Sequence, residues 1–112
     1  MNSPDGFFKK TINLGSRNFS LQILKFDNGS FVSISEGSSK IGSMVISLNI
    51  GQNPVTTTVI PSKSESLFLK LISEKISFKM HGIAIVTTFL QKELDPDTAK
   101  VLMTEIMEII EN

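Results

Sequence analysis

Apolar and polar residues alternate with period two from Phe7 to Ile60, and the period lengthens to that of a helix further on. A half-buried strand turns successive side chains to opposite faces. The alternation therefore predicts strands over Phe7–Leu14, Asn18–Phe26, Ser30–Ser35, Ile41–Ile50 and Val55–Ile60. In the second of these, Phe19, Leu21 and Ile23 share one face and Leu24 and Phe26 the other. The breaks are Gly15-Ser16, Asp27-Asn28-Gly29, Glu36-Gly37-Ser38-Ser39-Lys40 and Gly51-Gln52-Asn53-Pro54. Asp27-Asn28-Gly29 tolerates positive φ and lies between apolar runs, a strong hairpin signal. Short turns throughout read as an antiparallel meander of four consecutive strands. Pro61 ends the pairing of the last.

From Ser64 the residues Leu67, Phe68, Leu71, Ile72, Lys75, Ile76 and Met80 fall at helical spacing, a stripe expected to face the sheet. Ser62 or Ser64 suits its N-cap and Gly82 the left-handed position past its end. Gly82–Leu90 is too short and too apolar for a surface helix and reads as a central strand. Asp95-Pro96-Asp97 opens a closing helix with a cap, a proline at the first helical position and an acid near the positive helix end. Its buried stripe is Ala99, Leu102, Met103, Ile106, Ile109 and Ile110. The fold expected is α+β: a six-stranded, mainly antiparallel sheet in the order β-β-β-β-β-α-β-α, with both helices on one face. The 112 residues make one domain, with Met1–Gly6 fraying at its start.

Two helices cover one face of such a sheet and leave the other to solvent or a partner. Ser33, Ser43, Val45 and Ser47, continued by Thr56, Thr57 and Thr58, predict a small, neutral, hydroxylated free face suited to self-association. Two loops are expected at one end of the sheet as partner-binding elements: Glu36, Ser38, Ser39 and Lys40, and Gly51, Gln52, Asn53 and Pro54. Lys40, beside Gly42, shows no structural task in the sequence.

Composition narrows the function classes. Hydrophobic residues make up 40% of the chain, enough for a core. Formal net charge is zero with lysines and arginine scattered, which argues against nucleic acid or an anionic membrane as partner. There is no cysteine, so disulfides and thiolate metal sites are excluded. Met1–Lys10 lacks the basic segment and apolar core of a signal peptide, and no apolar run approaches the roughly 20 residues of a membrane span. A cytoplasmic or nuclear location is expected. His81 is the only histidine and sits at a helix stop, so no zinc set or nucleophile–base pair is legible. Gly37–Ser43 resembles a phosphate loop but lacks the G-x-x-x-x-G-K-[ST] order and leads into a strand. Asp95 and Asp97 are explained by capping, and Glu105, Glu108 and Glu111 form an acidic helix end. No catalytic, cofactor-binding or metal-binding residue is predicted, and no cofactor.

Three stretches carry a family resemblance. They are the strand Phe31-Val32-Ser33-Ile34-Ser35, the turn into Lys40-Ile41-Gly42-Ser43-Met44, and the strand Pro54-Val55-Thr56-Thr57-Thr58-Val59. With the helix from Ser64, the strand Ile83–Thr88 and the closing helix, Phe19–Glu111 resembles the small proteasome assembly chaperones. Lys40–Met44 favours the third-chaperone type, while Pro54–Val59 resembles the third and fourth types alike. The resemblance implies a non-enzymatic α+β protein acting as a dimer, with a fourth-type chaperone or a second copy. It further implies binding to α-type subunits of the 20S proteasome during assembly of the α-ring. The alternative is a dimeric interaction domain of the profilin-like or roadblock-like sort, in which a helix usually precedes the first strands.

Overall fold

In the computed structural model, which describes residues 6–51, 53–62 and 67–111, eight elements follow the expected order. They are β1 (Phe7–Leu14), β2 (Arg17–Phe26), β3 (Gly29–Glu36), β4 (Ser43–Ile50), β5 (Asn53–Ile60), α1 (Leu67–Met80), β6 (Ile83–Phe89) and α2 (Pro96–Glu111). All six strands join one sheet in the spatial order β1-β2-β3-β6-β4-β5. Four of the neighbouring pairs are antiparallel, and β3 with β6 is parallel. The expected fold class is thus the observed one.

The continuous meander is not. β3 and β4 do not pair, because β6 lies between them, parallel to one and antiparallel to the other. Skipping one strand means crossing roughly 10 Å, twice the interstrand spacing. The six residues from Gly37 to Ile41 and Gly42 reach that far at about 3.3 Å each, so a short polar segment fits a crossing as well as a hairpin. Two glycines make the joints possible. A side chain at Gly42 would overlap the carbonyl oxygen of Thr88, and one at Gly29 that of Ile83. Gly29 therefore serves close strand approach, not the positive φ expected of it. Residues 1–5 of the segment expected to fray lie outside the described residues, but the Gly6 carbonyl accepts a hydrogen bond from the Lys25 amide.

Register fixes the faces. Phe19, Leu21 and Ile23 of β2 stand opposite Glu36, Ile34 and Val32 of β3, and the row continues through Val86 to Val45. This face carries the core, completed by Ile72 and Ile76 of α1 and by Leu102, Ile106 and Ile110 of α2. Of the expected α2 stripe, Leu102, Ile106 and Ile110 are buried and Ala99, Met103 and Ile109 half-buried, while Thr98 and Met107 are buried in addition. Asp95 caps the helix, its carboxylate accepting from the Thr98 amide at 3.1 Å and the Thr98 hydroxyl at 2.6 Å. At the other end Glu105 pairs with Lys10, and Lys25 donates to the Ile109 carbonyl at 3.1 Å, tying α2 to β1 and β2.

Helix α1 is rotated from its expected register. Leu69, Ser73 and Ser77 are buried with Ile72 and Ile76, whereas Leu67 and Leu71 are exposed. Polar chemistry decides this. Ser47 of β4 donates to Ser73 at 2.9 Å, Thr56 of β5 to Glu74 at 2.6 Å, and Ser77 to the Gly82 carbonyl at 2.8 Å. Small hydroxylated residues bring the helix down onto the sheet, and each hydroxyl is satisfied. The helix ends with the Gly82 amide on the Ser77 carbonyl and the His81 amide on that of Phe78, a Schellman arrangement. His81 takes the left-handed position (φ 52°) that Gly82 was expected to fill, while a side chain at Gly82 would overlap the Asn28 carbonyl oxygen. The expected cap at Ser64 lies outside the described residues.

Truncating Ile106 or Ile72, both fully buried, is expected to cost about 2–5 kcal/mol in urea unfolding. Truncating Leu71, which is 46% exposed, should change stability by no more than about 0.5 kcal/mol. Equal losses at positions 71 and 72 would restore the register expected from periodicity.

Candidate functional site

With both helices on one face, the other is uncovered, and its chemistry runs in rows across the strands. One row reads Phe7, Leu24, Phe31, Ile85, Ile46 and Thr57 from edge to edge. The row beside it reads Phe26, Gly29, Ile83, Leu48 and Val55. Phe26 and Val55 are 59% and 56% exposed and Leu24 is 41% exposed, so these rows form an apolar patch open to solvent. Because Gly29 has no side chain, a hollow of about 290 Å³ opens between Leu24, Phe26, Phe31, Ile83 and Ile85. On the other side of the first row the face turns polar: Lys9, Gln22, Ser33, Thr87 and Met44 stand abreast. The Gly37–Gly42 crossing closes its far end, where Ser35 donates to the Lys40 carbonyl at 3.1 Å and the Gly42 amide donates to Thr87 at 3.2 Å.

Of the residues expected on the free face, Ser33 and Thr57 are there. Ser43, Val45 and Ser47 point to the helix side, Val45 into the core and Ser47 to Ser73. Their apolar neighbours Met44, Ile46 and Leu48 take the open face instead. Serines and threonines signal a solvated face only where no helix supplies hydrogen-bond partners, and α1 supplies them.

The two loops lie at opposite ends of the sheet, because Ser35 pairs with Phe89 at the end of β6 while Leu48 pairs with Ile83 at its start. Ser38, Ser39 and Lys40 are exposed. Lys40 does have a structural contact, its ammonium 5.2 Å from the centroid of the Phe89 ring. The second loop is a tight turn: Gly51 has φ 82°, Gln52 lies outside the described residues, and Asn53 and Pro54 belong to β5, opposite Ile50 and Asn49.

Glu36 is buried, not presented to a partner. It receives a bidentate pair from Arg17, Nε to Oε2 at 2.8 Å and Nη2 to Oε1 at 2.7 Å, and a hydrogen bond from the Gln91 amide at 2.9 Å. Arg17 also donates to the carbonyls of Lys92 and Glu93 at 2.9 and 3.1 Å and lies over the Phe19 ring. The pair thus fixes the irregular segment between β6 and α2. Arg17 escaped the sequence reading because it sits at a turn next to polar residues; its only signal was a β2 face shared with Phe19, Leu21 and Ile23. Hydrogen bonds from Arg17 outweigh burial and hold the Glu36 carboxyl below its ordinary pKa, and the Thr98 bonds do the same for Asp95.

Among the described residues no group of three or more His, Cys, Asp or Glu is placed to hold a metal ion, and no helix is long and apolar enough to cross a membrane. His81 is exposed, its ring 6.3 Å from that of Phe78.

Comparison with known proteins gives one kind of answer. No family model matches the chain, and no curated protein matches it. Among solved structures, a chain from the crystal structure of a novel chaperone complex for yeast 20S proteasome assembly superimposes with a TM-score of 0.71. The match covers 94% of both chains at 11% identity, and so establishes a shared fold.

Removing the Glu36 carboxylate leaves Arg17 buried and unpaired, so Glu36→Ala is expected to lose about 3–5 kcal/mol. A depressed carboxyl pKa contributes stability that is present above the unfolded value and lost as pH falls through the folded one. The urea midpoint of the parent protein should therefore drop as pH is lowered through and below the ordinary carboxylate range. The drop should be shallower for Glu36→Gln, and parallel curves would separate the pair from the acid sensitivity.

Proposed function

We propose that this chain is a non-enzymatic chaperone subunit that binds α-type subunits of the 20S proteasome and assists assembly of the α-ring, acting as a dimer. The observation that carries this reading is the match of fold over 94% of both chains to a component of the yeast assembly-chaperone complex. The resemblance of Phe31–Ser35, Lys40–Met44 and Pro54–Val59 to the small proteasome assembly chaperones supports it from the sequence. The uncovered apolar rows supply a surface for the dimer, with a fourth-type chaperone or a second copy as the other half. An exposed apolar patch of this kind marks an interaction surface. Its place of work is the cytoplasm or nucleus.

Tagged protein recovered from a eukaryotic cell extract is expected to bring down α-type subunits and no mature particle. Recovery of trafficking or cytoskeletal proteins instead would favour a scaffold domain and overturn the reading. The dimer is tested separately by sedimentation, alone and with a fourth-type partner, where a stable interface should bury about 1,000 Å² or more. Phe31→Asp, on the open face, should shift the dimer to monomer while Ser43→Asp, on the helix side, should not do so selectively.

A further inference from the structure

A second surface lies on the helix side. The first turns of α1 and α2 converge on the end of β6 and leave an open groove of about 740 Å³. Phe68, Leu71, Leu90, Leu94 and Met103 line it with apolar surface, and Leu67 stands at its edge 66% exposed. Lys92 and Lys100 stand on its rim with Glu93 as the one carboxylate among the lining residues. Neither lysine forms an ion pair among the described residues.

One wall is the segment bearing Lys92, Glu93 and Leu94, which has no helix or strand of its own. Arg17 and Glu36 hold three successive backbone groups of that wall, the Gln91 amide and the Lys92 and Glu93 carbonyls. A wall fixed before binding loses little freedom on binding. The Arg17–Glu36 pair thus ties the wall to β2 and β3.

From the apolar floor, the fixed wall and the excess of ammonium groups on the rim, we infer that this groove docks an acidic segment of a partner protein, its apolar side chain inserted between Leu71 and Met103 and its carboxylates facing Lys92 and Lys100. The site stands apart from the open sheet face and does not depend on the identity of the partner proposed above.

A fluorescein-labelled peptide of sequence Asp-Glu-Leu-Phe-Glu-Asp serves as the probe, followed by fluorescence polarisation with the full chain. Saturable binding is expected. It should weaken by about tenfold or more in the double variant Lys92→Glu, Lys100→Glu, and fall as salt is raised. Leu71→Asp should weaken it similarly, and these exposed substitutions should leave the melting temperature close to that of the parent. A peptide with lysines in place of the acids should not bind. Equal binding of that basic peptide, or undiminished binding to both variants, overturns the proposal. Loss of binding in Phe31→Asp with Leu71→Asp unaffected would move the site to the open face. Shifts of the Leu67, Leu71 and Met103 methyl resonances with protein concentration alone would make the occupant a second copy. Peptide binding that survives when α-type subunits fail to co-purify leaves this site standing and removes only the proposed function.

Discussion

Strand β6 carries a row of backbone donors and acceptors on each side, and in the interior of a sheet both rows must be paired. That requirement organises the molecule. β1, β2 and β3 form one antiparallel unit and β4 with β5 another, and neither touches the other through a ladder. β6 pairs with β3 on one side and β4 on the other, and so makes one sheet from two. Its sequence suits the position. Ala84 and Val86 face the core, while Ile83 and Ile85 face the open side. A strand apolar on both faces is at home only at the centre, and placing it there forces the Gly37–Gly42 segment to cross over its end.

The uneven legibility of the chain follows from what each signal measures. Periodicity reports which residues share a face, so the existence and order of all eight elements and the buried stripe of α2 were readable. It does not report which face has a helix on it. Ser43, Val45 and Ser47 share a face as their spacing requires, yet only the presence of α1 makes that face an interior one. The same ambiguity rotated α1: a stripe of leucines looks more buried than a stripe of serines until the Ser47 hydroxyl partners Ser73 and the Gly82 carbonyl partners Ser77. Strand order was illegible for a different reason, since the six residues Gly37–Gly42 fit a hairpin or a crossing equally well.

The candidate site was legible in part. That one sheet face would remain uncovered follows from counting helices, and Leu24 and Phe26 were already assigned to the face opposite Phe19. Which residues make that face apolar depends on pairing β6 with β3 and β4, a non-local fact. Arg17 and Glu36 are 19 positions apart and hold a segment 75 residues beyond the first and 55 beyond the second. No local pattern encodes such an arrangement. Glu36 read as a loop acid because its partner lies across a strand pair whose register had first to be known.

The two surfaces differ in how they were made, and this bears on how they work together. The open face is the by-product of having two helices for a six-stranded sheet, and it is broad and apolar, suited to another broad face. The groove is bounded by a segment held in place by a buried ion pair and carries charge on its rim, suited to a short segment. Ser43 and Thr88 at the groove point to the helix side of the sheet, whereas Ile46, Ile85 and Phe31 point away from it. Pairing through the open face therefore leaves the groove of each subunit unobstructed. A dimer assembled sheet to sheet would present its helices and both grooves outward, so that pairing of two sheet faces and docking in the grooves need not compete for the same atoms.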